Sequence, residues 1–441
     1  MVSAVLTASL ICGCGSSPAG GAAEDAGKEG AAVSAVSEAA GSAGDAKSLS
    51  GNVTGPQAAL NDIMSSMNRP VGDMVKNFST EEPEEISAEE AEGMDRAMRE
   101  YVPGKDSLLK NKAKEFYYYT QLNDTQQEYY DMIYMLAEDP ESENNIVSTT
   151  ISNSYDPDAV QEDLFTAYLA IIYDHPELFW MYNAIKTDLE FSVYTLNSET
   201  TLYIQFTDVY EDYEKDMTAF NKAAEDFMKD IDLNASELEI AGEIHDKLLD
   251  LASYDYDVAA SEEVQDLAHT AYGALVQNSS GQANTCVCDG YSLAYVYLCQ
   301  QAGIEAIFMG GVAGNTELDA GGHAWSMVKV DGEWKEVDTT WDDMDDMVEM
   351  IKNELNTLND SDRKYIETAL SDKEYIDALE HYLFLVSTDT ITNYKPDDSV
   401  MYYFDDGAVV CFVFESVHIR ANKAAGFEAM GSIIKNAPIA A

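Results

Sequence analysis

The sequence predicts a fold of separate helical and antiparallel strand segments, and three observations predict it. A strong helical run from Tyr291 to Gln301 begins directly after Cys288-Asp289-Gly290 and stops at Gly303. Further along, two strand-like segments, Ala324 to Val330 and Glu333 to Thr339, flank Asp331-Gly332, a strong two-residue hairpin signal. Ahead of both, from about Met94 to Ala235, apolar and tyrosine residues recur mainly at helical spacing.

Composition bounds what such a chain can do. Its 441 residues are 46% hydrophobic, enough to bury a sizeable core. Against 81 Asp and Glu there are only 25 Lys and Arg, a formal net charge of -56. Nucleic acid is thereby excluded as a partner, because phosphate binding needs a basic footprint. Such acidity suits a soluble, self-repelling exported protein. The six cysteines are Cys12, Cys14, Cys286, Cys288, Cys299 and Cys411. They are too sparse for a disulfide framework, and with no Cys-x-x-Cys pair they do not read as a zinc ribbon or thioredoxin-like site. Cys286 and Cys288 are badly placed to bond each other.

Residues 1–14 read as a signal segment. Met1 to Ile11 is apolar or small and too short to span a bilayer, like the hydrophobic part of an export signal. Ile11-Cys12-Gly13-Cys14 resembles a bacterial lipoprotein box with Cys14 as the lipidated residue. That resemblance implies a chain on the outer face of the bacterial cell membrane, held there by its lipid anchor only. Residues 15–93, rich in Ala, Gly and Ser and then acidic, are expected to be a flexible tether.

The region 94–235 is read as helical with one hairpin. Phe116 to Tyr119, Tyr129, Tyr130, Ile133 and Leu136 follow helical spacing, as do Tyr168, Leu169, Ile171 and Ile172. His175, directly before Pro176, fits a helix end. Leu189 to Phe206 reads as two strands joined at Asn197-Ser198-Glu199. Tyr213 to Met228 and Glu237 to Leu251 are amphipathic helices. The 27 tyrosines invite a sugar-stacking reading, but packing with hydroxyls at the rim is the favoured one. His175 and His245 have no ligand-spaced partner, so structural roles are expected, with no metal and no cofactor. Asp342, Asp343, Asp345 and Asp346 read as a solvated acidic loop.

The chemistry converges on three residues. Cys288 falls at a helix N-terminus, where unpaired N–H groups and the positive end of the dipole favour a thiolate. Gly290 permits close approach beside it, while Cys286 and Cys299 read as structural. Glu305 to Met309 is expected to be a short buried strand and Val312 to Gly322 a loop. The Asp331-Gly332 turn then fixes a register in which Asp338 lies opposite Trp325. His323, two residues before Trp325, shares its face, so His323 and Asp338 become diagonal neighbours within reach. In the roles this suggests, Cys288 is the nucleophile, His323 its base and later the acid, and Asp338 the group that orients the imidazole. The Cys288 backbone N–H is the first candidate to receive an oxyanion, with Gln282 or Gln277 as a side-chain donor.

Residues from about Glu243 to Tyr394 resemble the bacterial transglutaminase-like domain of the papain-like cysteine enzyme superfamily. The matching blocks are Tyr254-Asp255-Tyr256-Asp257, Thr270 to Leu275, Cys288-Asp289-Gly290-Tyr291-Ser292, Ala302-Gly303-Ile304, His323 to Val328, Asp331 to Trp334, and Val337 to Asp343. The resemblance implies an α+β fold with a papain-like or transglutaminase-like core, the Cys-bearing helix packed on an antiparallel sheet, behind a mainly helical region. It places catalytic roles on Cys288, His323 and Asp338. The domain would run over 236–394, with a helical insertion at about 344–380 ahead of a strand at Tyr382 to Val386. An extension over 395–441 holds a strand at Val409 to Phe414. The expected function is a cell-surface cysteine-dependent enzyme acting on amide bonds through a Cys thioester. Its substrate would be protein or peptide, cell-wall peptide included, with peptidase or amidase action favoured over transglutaminase-like acyl transfer. The competing expectation is a non-catalytic surface lipoprotein that uses the fold to bind protein or glycan.

Overall fold

The structure, a computed structural model, describes residues 84–98, 108–142, 145–151, 155–182, 187–209, 211–261, 265–315, 320–395, 399–424, 431 and 433–441, and two short strands ahead of them. Cys12 and Cys14 lie outside the described residues, as does nearly all of the expected tether. Of the two early strands, Ser3–Thr7 pairs in parallel with Val409–Val413, and Val33–Ala35 pairs with Ser3–Thr7 from the other side.

The elements that position the site are α1 (Glu237–Leu251), α2 (Ala271–Leu275), α3 (Cys288–Ala302), β1 (Ala306–Gly314), β2 (Gly321–Val330), β3 (Glu333–Val337), α4 (Thr339–Asp342) and β4 (Val417–Arg420). The four strands form one sheet in the order β3-β2-β1-β4, antiparallel throughout. The fold is therefore α+β, as expected. At the β2–β3 hairpin Ser326 faces Val337 and Val330 faces Glu333, which is the register the Asp331-Gly332 turn requires. Both turn residues take positive φ, 51° and 81°, the backbone of a type I′ turn.

Two expectations need correction. The stretch read as a loop from Val312 to Gly322 is strand at both ends: β1 continues to Gly314 and β2 starts at Gly321. Gly311, within β1, serves sheet contact. A Cβ on Gly311 would stand 2.0 Å from the Ile419 carbonyl oxygen, so only glycine lets β4 approach there. Tyr382 to Val386 is a turn, with Leu385 at φ 54° and a single bridge from Val386 to Glu336.

Helix α3 lies at the centre. It begins from Val287 as N-cap and ends at Gly303 in the left-handed conformation. Nearly all of its side chains are buried, because it packs on β1 and β2, on α1, α2 and α4, and on Tyr213–Met228 of the preceding region. That region holds helices Asp124–Ala137, Pro157–Asp174 and Tyr213–Met228. Its long hairpin, Thr187–Leu196 with Glu199–Val209, turns at Asn197 and Ser198, and His175 caps Pro157–Asp174. The region shares one hydrophobic core with the site elements. The Tyr118 hydroxyl donates to the Phe308 carbonyl, Tyr173 stacks on Phe308 at 4.7 Å, and Gln300 Nε2 donates to the Asp174 carbonyl at 3.1 Å. Tyr118, Tyr129, Tyr130, Tyr168 and Tyr173 are all buried, so these tyrosines pack the core. After α4 come the helices Asp345–Glu354, Asp360–Ala369 and Lys373–Leu379, where a helical insertion was expected. No helix among the described residues is long and apolar enough to cross a membrane.

Candidate active site

Cys288 is the first residue of α3 and is 6% exposed. Helix N-termini carry N–H groups without intrahelical acceptors and the positive end of the dipole, which stabilise a thiolate. The start of α3 is fixed from behind. Val287 N–H donates to the Ala268 carbonyl at 3.0 Å, and the Asp289 carboxylate accepts from the Tyr182 hydroxyl at 2.9 Å and meets His269 Nδ1 at 2.9 Å. Gly290 is required here. A Cβ would stand 2.3 Å from the Ala268 carbonyl oxygen and 2.7 Å from the Cys286 Cβ, so the close approach is to these neighbours. The other described cysteines, Cys286, Cys299 and Cys411, are buried and free of disulfides. Burial pushes their thiols up, Cys299 to about 12 and Cys286 well above its ordinary value, so each is held protonated and unreactive at neutral pH.

The sheet brings the imidazole to the carboxylate. His323 lies in β2 opposite Gly311, and its Nε2 is 2.7 Å from Asp338 Oδ2. Asp338 follows the last residue of β3 and caps α4, with Oδ1 accepting from the Thr340 and Trp341 backbone N–H groups at 3.1 Å each. Leu383 O accepts its N–H. Burial pushes the Asp338 carboxyl up, but the facing His323 and His418 imidazoles more than offset this and hold it well below the usual carboxylate range.

His418 was not found from the sequence. It sits in β4 opposite Ala313, and its Nε2 is 2.8 Å from the same Asp338 Oδ2. Burial holds His418 below its ordinary pKa, outweighing the pull of Asp338, so it is neutral and donates Nε2–H. Trp341 and Trp325 enclose both imidazoles, with Trp341 5.4 Å from His323 and 5.0 Å from His418, and Trp325 stacked on His323 at 6.2 Å. Trp325 is anchored by its Nε1–H to Glu336 at 2.9 Å, and Glu336 in turn pairs with the buried Arg420.

The nearby acids take other partners. Asp342 is buried and faces His245 Nε2 at 3.1 Å, and Asp343 accepts from the Tyr291 hydroxyl at 2.6 Å. Only Asp345 and Asp346 of the expected acidic loop are exposed, because α4 turns the first two inward. Gln277 and Gln282 are exposed, and the Gln282 amide oxygen accepts from Asn278 at 2.9 Å.

The sequence profile described as the transglutaminase-like superfamily matches residues 225–339. No curated protein matches the chain. Among solved structures, a TGase is similar at 17% identity with a TM-score of 0.23, covering 36% of this chain and 46% of that one. A candidate cysteine protease from Cytophaga hutchinsonii is similar at 14% identity with a TM-score of 0.20, covering 35% and 65%. This chain thus spans less than two thirds of either relative. The profile match covers the stretch that holds Cys288, His323 and Asp338, and residues 225–339 are a transglutaminase-like domain.

Proposed function

We propose that the protein is a cysteine-dependent enzyme acting on amide bonds, with Cys288 as nucleophile, His323 as acid and base, and Asp338 as orienter. The observation that carries the reading is the 2.7 Å contact of His323 Nε2 with Asp338 Oδ2, in a domain whose central helix starts at Cys288. A carboxylate only accepts, so Nε2 holds the hydrogen and Nδ1 presents a lone pair that can take a proton. His323 removes the thiol proton, and the Cys288 sulfur attacks the amide carbonyl carbon. The oxyanion is received by N–H groups at the start of α3. On collapse the C–N bond breaks, the imidazolium protonates the leaving amine, and a thioester remains on Cys288. Water or a second amine then attacks the thioester carbonyl as His323 takes its proton, the C–S bond breaks, and Cys288 leaves and regains that proton, giving an acid or a new amide. Hydrolysis of peptide or isopeptide bonds, cell-wall peptide included, is the favoured outcome.

The charge of -56 and the Cys14 motif support an exported protein anchored at the outer face of the membrane. Mass analysis of the membrane fraction for an acylated Cys14 peptide checks that part, and an unmodified soluble chain refutes it.

Alkylation by iodoacetamide across pH tests the chemistry, with peptide mapping of the labelled thiols. Cys288 is expected to react near neutral pH, and Cys286, Cys299 and Cys411 to stay unlabelled in the native protein. His323→Ala should shift Cys288 labelling to the alkaline range of an ordinary thiol, near about 8.5. A Cys288 that already behaves as an ordinary thiol, unchanged by His323→Ala, refutes the proposal.

A further inference from the structure

Among the described residues, two clusters join a pair of imidazoles to one carboxylate, and only one of them is accounted for by neutral rings donating to the carboxylate. At Asp338, His323 and His418 both present Nε2 to Oδ2. Two neutral rings, each with its hydrogen on Nε2, satisfy that arrangement. The second cluster, His245, Asp246 and His381, is built differently. His245 Nδ1 and His381 Nε2 converge on Asp246 Oδ1, at 3.0 and 2.9 Å. The far nitrogens are both committed. His381 Nδ1 lies 2.6 Å from the Asp377 carbonyl oxygen, and His245 Nε2 lies 3.1 Å from Asp342 Oδ2. A carbonyl oxygen only accepts, so His381 carries its hydrogen on Nδ1 and, when neutral, aims a lone pair from Nε2 at a carboxylate oxygen. His245 meets carboxylates at both nitrogens, and a neutral ring supplies a hydrogen to only one. The cluster needs positive charge beside Asp246.

We propose that His245, Asp246 and His381 bind one divalent transition-metal ion, of which zinc best suits the donors, as a staple between α1 and the end of the helical insertion. The three ligand atoms lie within 4.8 Å of one another. Ligands of a tetrahedral zinc with bonds of about 2.0–2.1 Å stand about 3.3 Å apart, so a small outward movement admits the ion. Both rings already have the outer partners that metal-binding histidines use to fix tautomer and orientation, a carboxylate for His245 and a backbone carbonyl for His381. Asp342 is held for this by the Leu383 N–H at 2.8 Å. The Asp246 side chain is 49% exposed and that of His381 25%, which opens an entry path and leaves room for water as the fourth ligand. Asp250, Asp345 and Asp377 interact through charge with neighbouring Glu380, adding to a negative surface that attracts a cation. Asp342 belongs to α4, the turn capped by Asp338, so the ion also steadies the base of the candidate active site.

The full chain, stripped with a chelator and titrated with Co2+ and then Zn2+ by calorimetry and visible absorption, provides the test. One equivalent of Co2+ with tetrahedral absorption bands, displaced by Zn2+ and accompanied by a higher melting temperature, is expected. His381→Ala and Asp246→Asn, whose side chains are 25% and 49% exposed, should each weaken uptake by at least the roughly 100-fold that loss of an outer partner can cost. His418→Gln should leave uptake unchanged. Absence of saturable uptake by the wild type overturns the proposal, since protons alone then supply the charge. Unchanged uptake in His381→Ala, or loss of uptake in His418→Gln, overturns it as well by placing the ion elsewhere.

Discussion

Asp338→Asn is the sharpest perturbation of the candidate site, because the structure fixes what an amide must do there. The carboxylate accepts four hydrogen bonds, two backbone N–H groups on Oδ1 and two imidazole Nε2–H groups on Oδ2. An amide has one acceptor oxygen, so one pair of donors must face its NH2. The backbone donors of Thr340 and Trp341 cannot change, whereas the imidazoles can move their hydrogens. The NH2 therefore turns to His323 and His418 and drives both to the Nδ1–H tautomer. Two hydrogen bonds to a buried charged acceptor are exchanged for two neutral ones, a difference of about 1–1.5 kcal/mol each, so stability should fall by about 2–3 kcal/mol. The chemical effect is separate: His323 then holds a hydrogen on the nitrogen that must receive the thiol proton. In serine triads the same orienter substitution lowers turnover about 10⁴-fold through the wrong tautomer. For Cys288 alkylation the limit is an ordinary thiol, only about 3% thiolate at pH 7 with a pKa of about 8.5, so a loss of up to about 30-fold is expected near neutral pH, measured below the melting temperature of the variant. Alkylation at the wild-type rate and with the wild-type pH profile would refute the tautomer argument, whatever happened to stability.

Three further outcomes follow from the same contacts. Gly290→Ala places a Cβ against the Ala268 carbonyl and Cys286, and overpacking should cost about 1–3 kcal/mol or more in denaturant unfolding; an unchanged midpoint would show that the α3 start is looser than described. Arg420→Met leaves Glu336 buried without its cation, a loss of about 3–5 kcal/mol, and the double variant with Glu336→Gln should recover part of it. Asp338 has a folded pKa below its unfolded one, so its contribution is fully present above the ordinary carboxylate pKa of about 3.9 and is lost as pH falls below it. The wild type should therefore lose more stability between neutral pH and about pH 3 than Asp338→Asn does, and parallel acid limbs in urea unfolding would contradict the low pKa.

Local signals carried far in this protein. The two-residue turn at Asp331-Gly332 sets which residues face each other because its positive φ angles admit one strand pairing, so the His323–Asp338 neighbourhood was legible 15 positions apart. The start of α3 at Cys288 was legible from a helical run with a glycine at its end. One failure has a visible cause. The strand expected to stop at Met309 runs on through Gly310 and Gly311, although glycine is depleted in strands, and only the approach of β4, about a hundred residues later, makes Gly311 necessary.

What the sequence determined by itself was therefore the set of elements and the short-range geometry: helix starts, the hairpin register, and the pairing of His323 with Asp338. What only the tertiary structure decided were the partners that arrive from far along the chain. His418 reaches Asp338 through β4, and His381 reaches Asp246 from the end of the insertion. Nothing in the residues around either histidine encodes its partner. Those contacts depend on sheet order and helix packing, where burial of apolar surface over the whole core, rather than local backbone preference, chooses the arrangement.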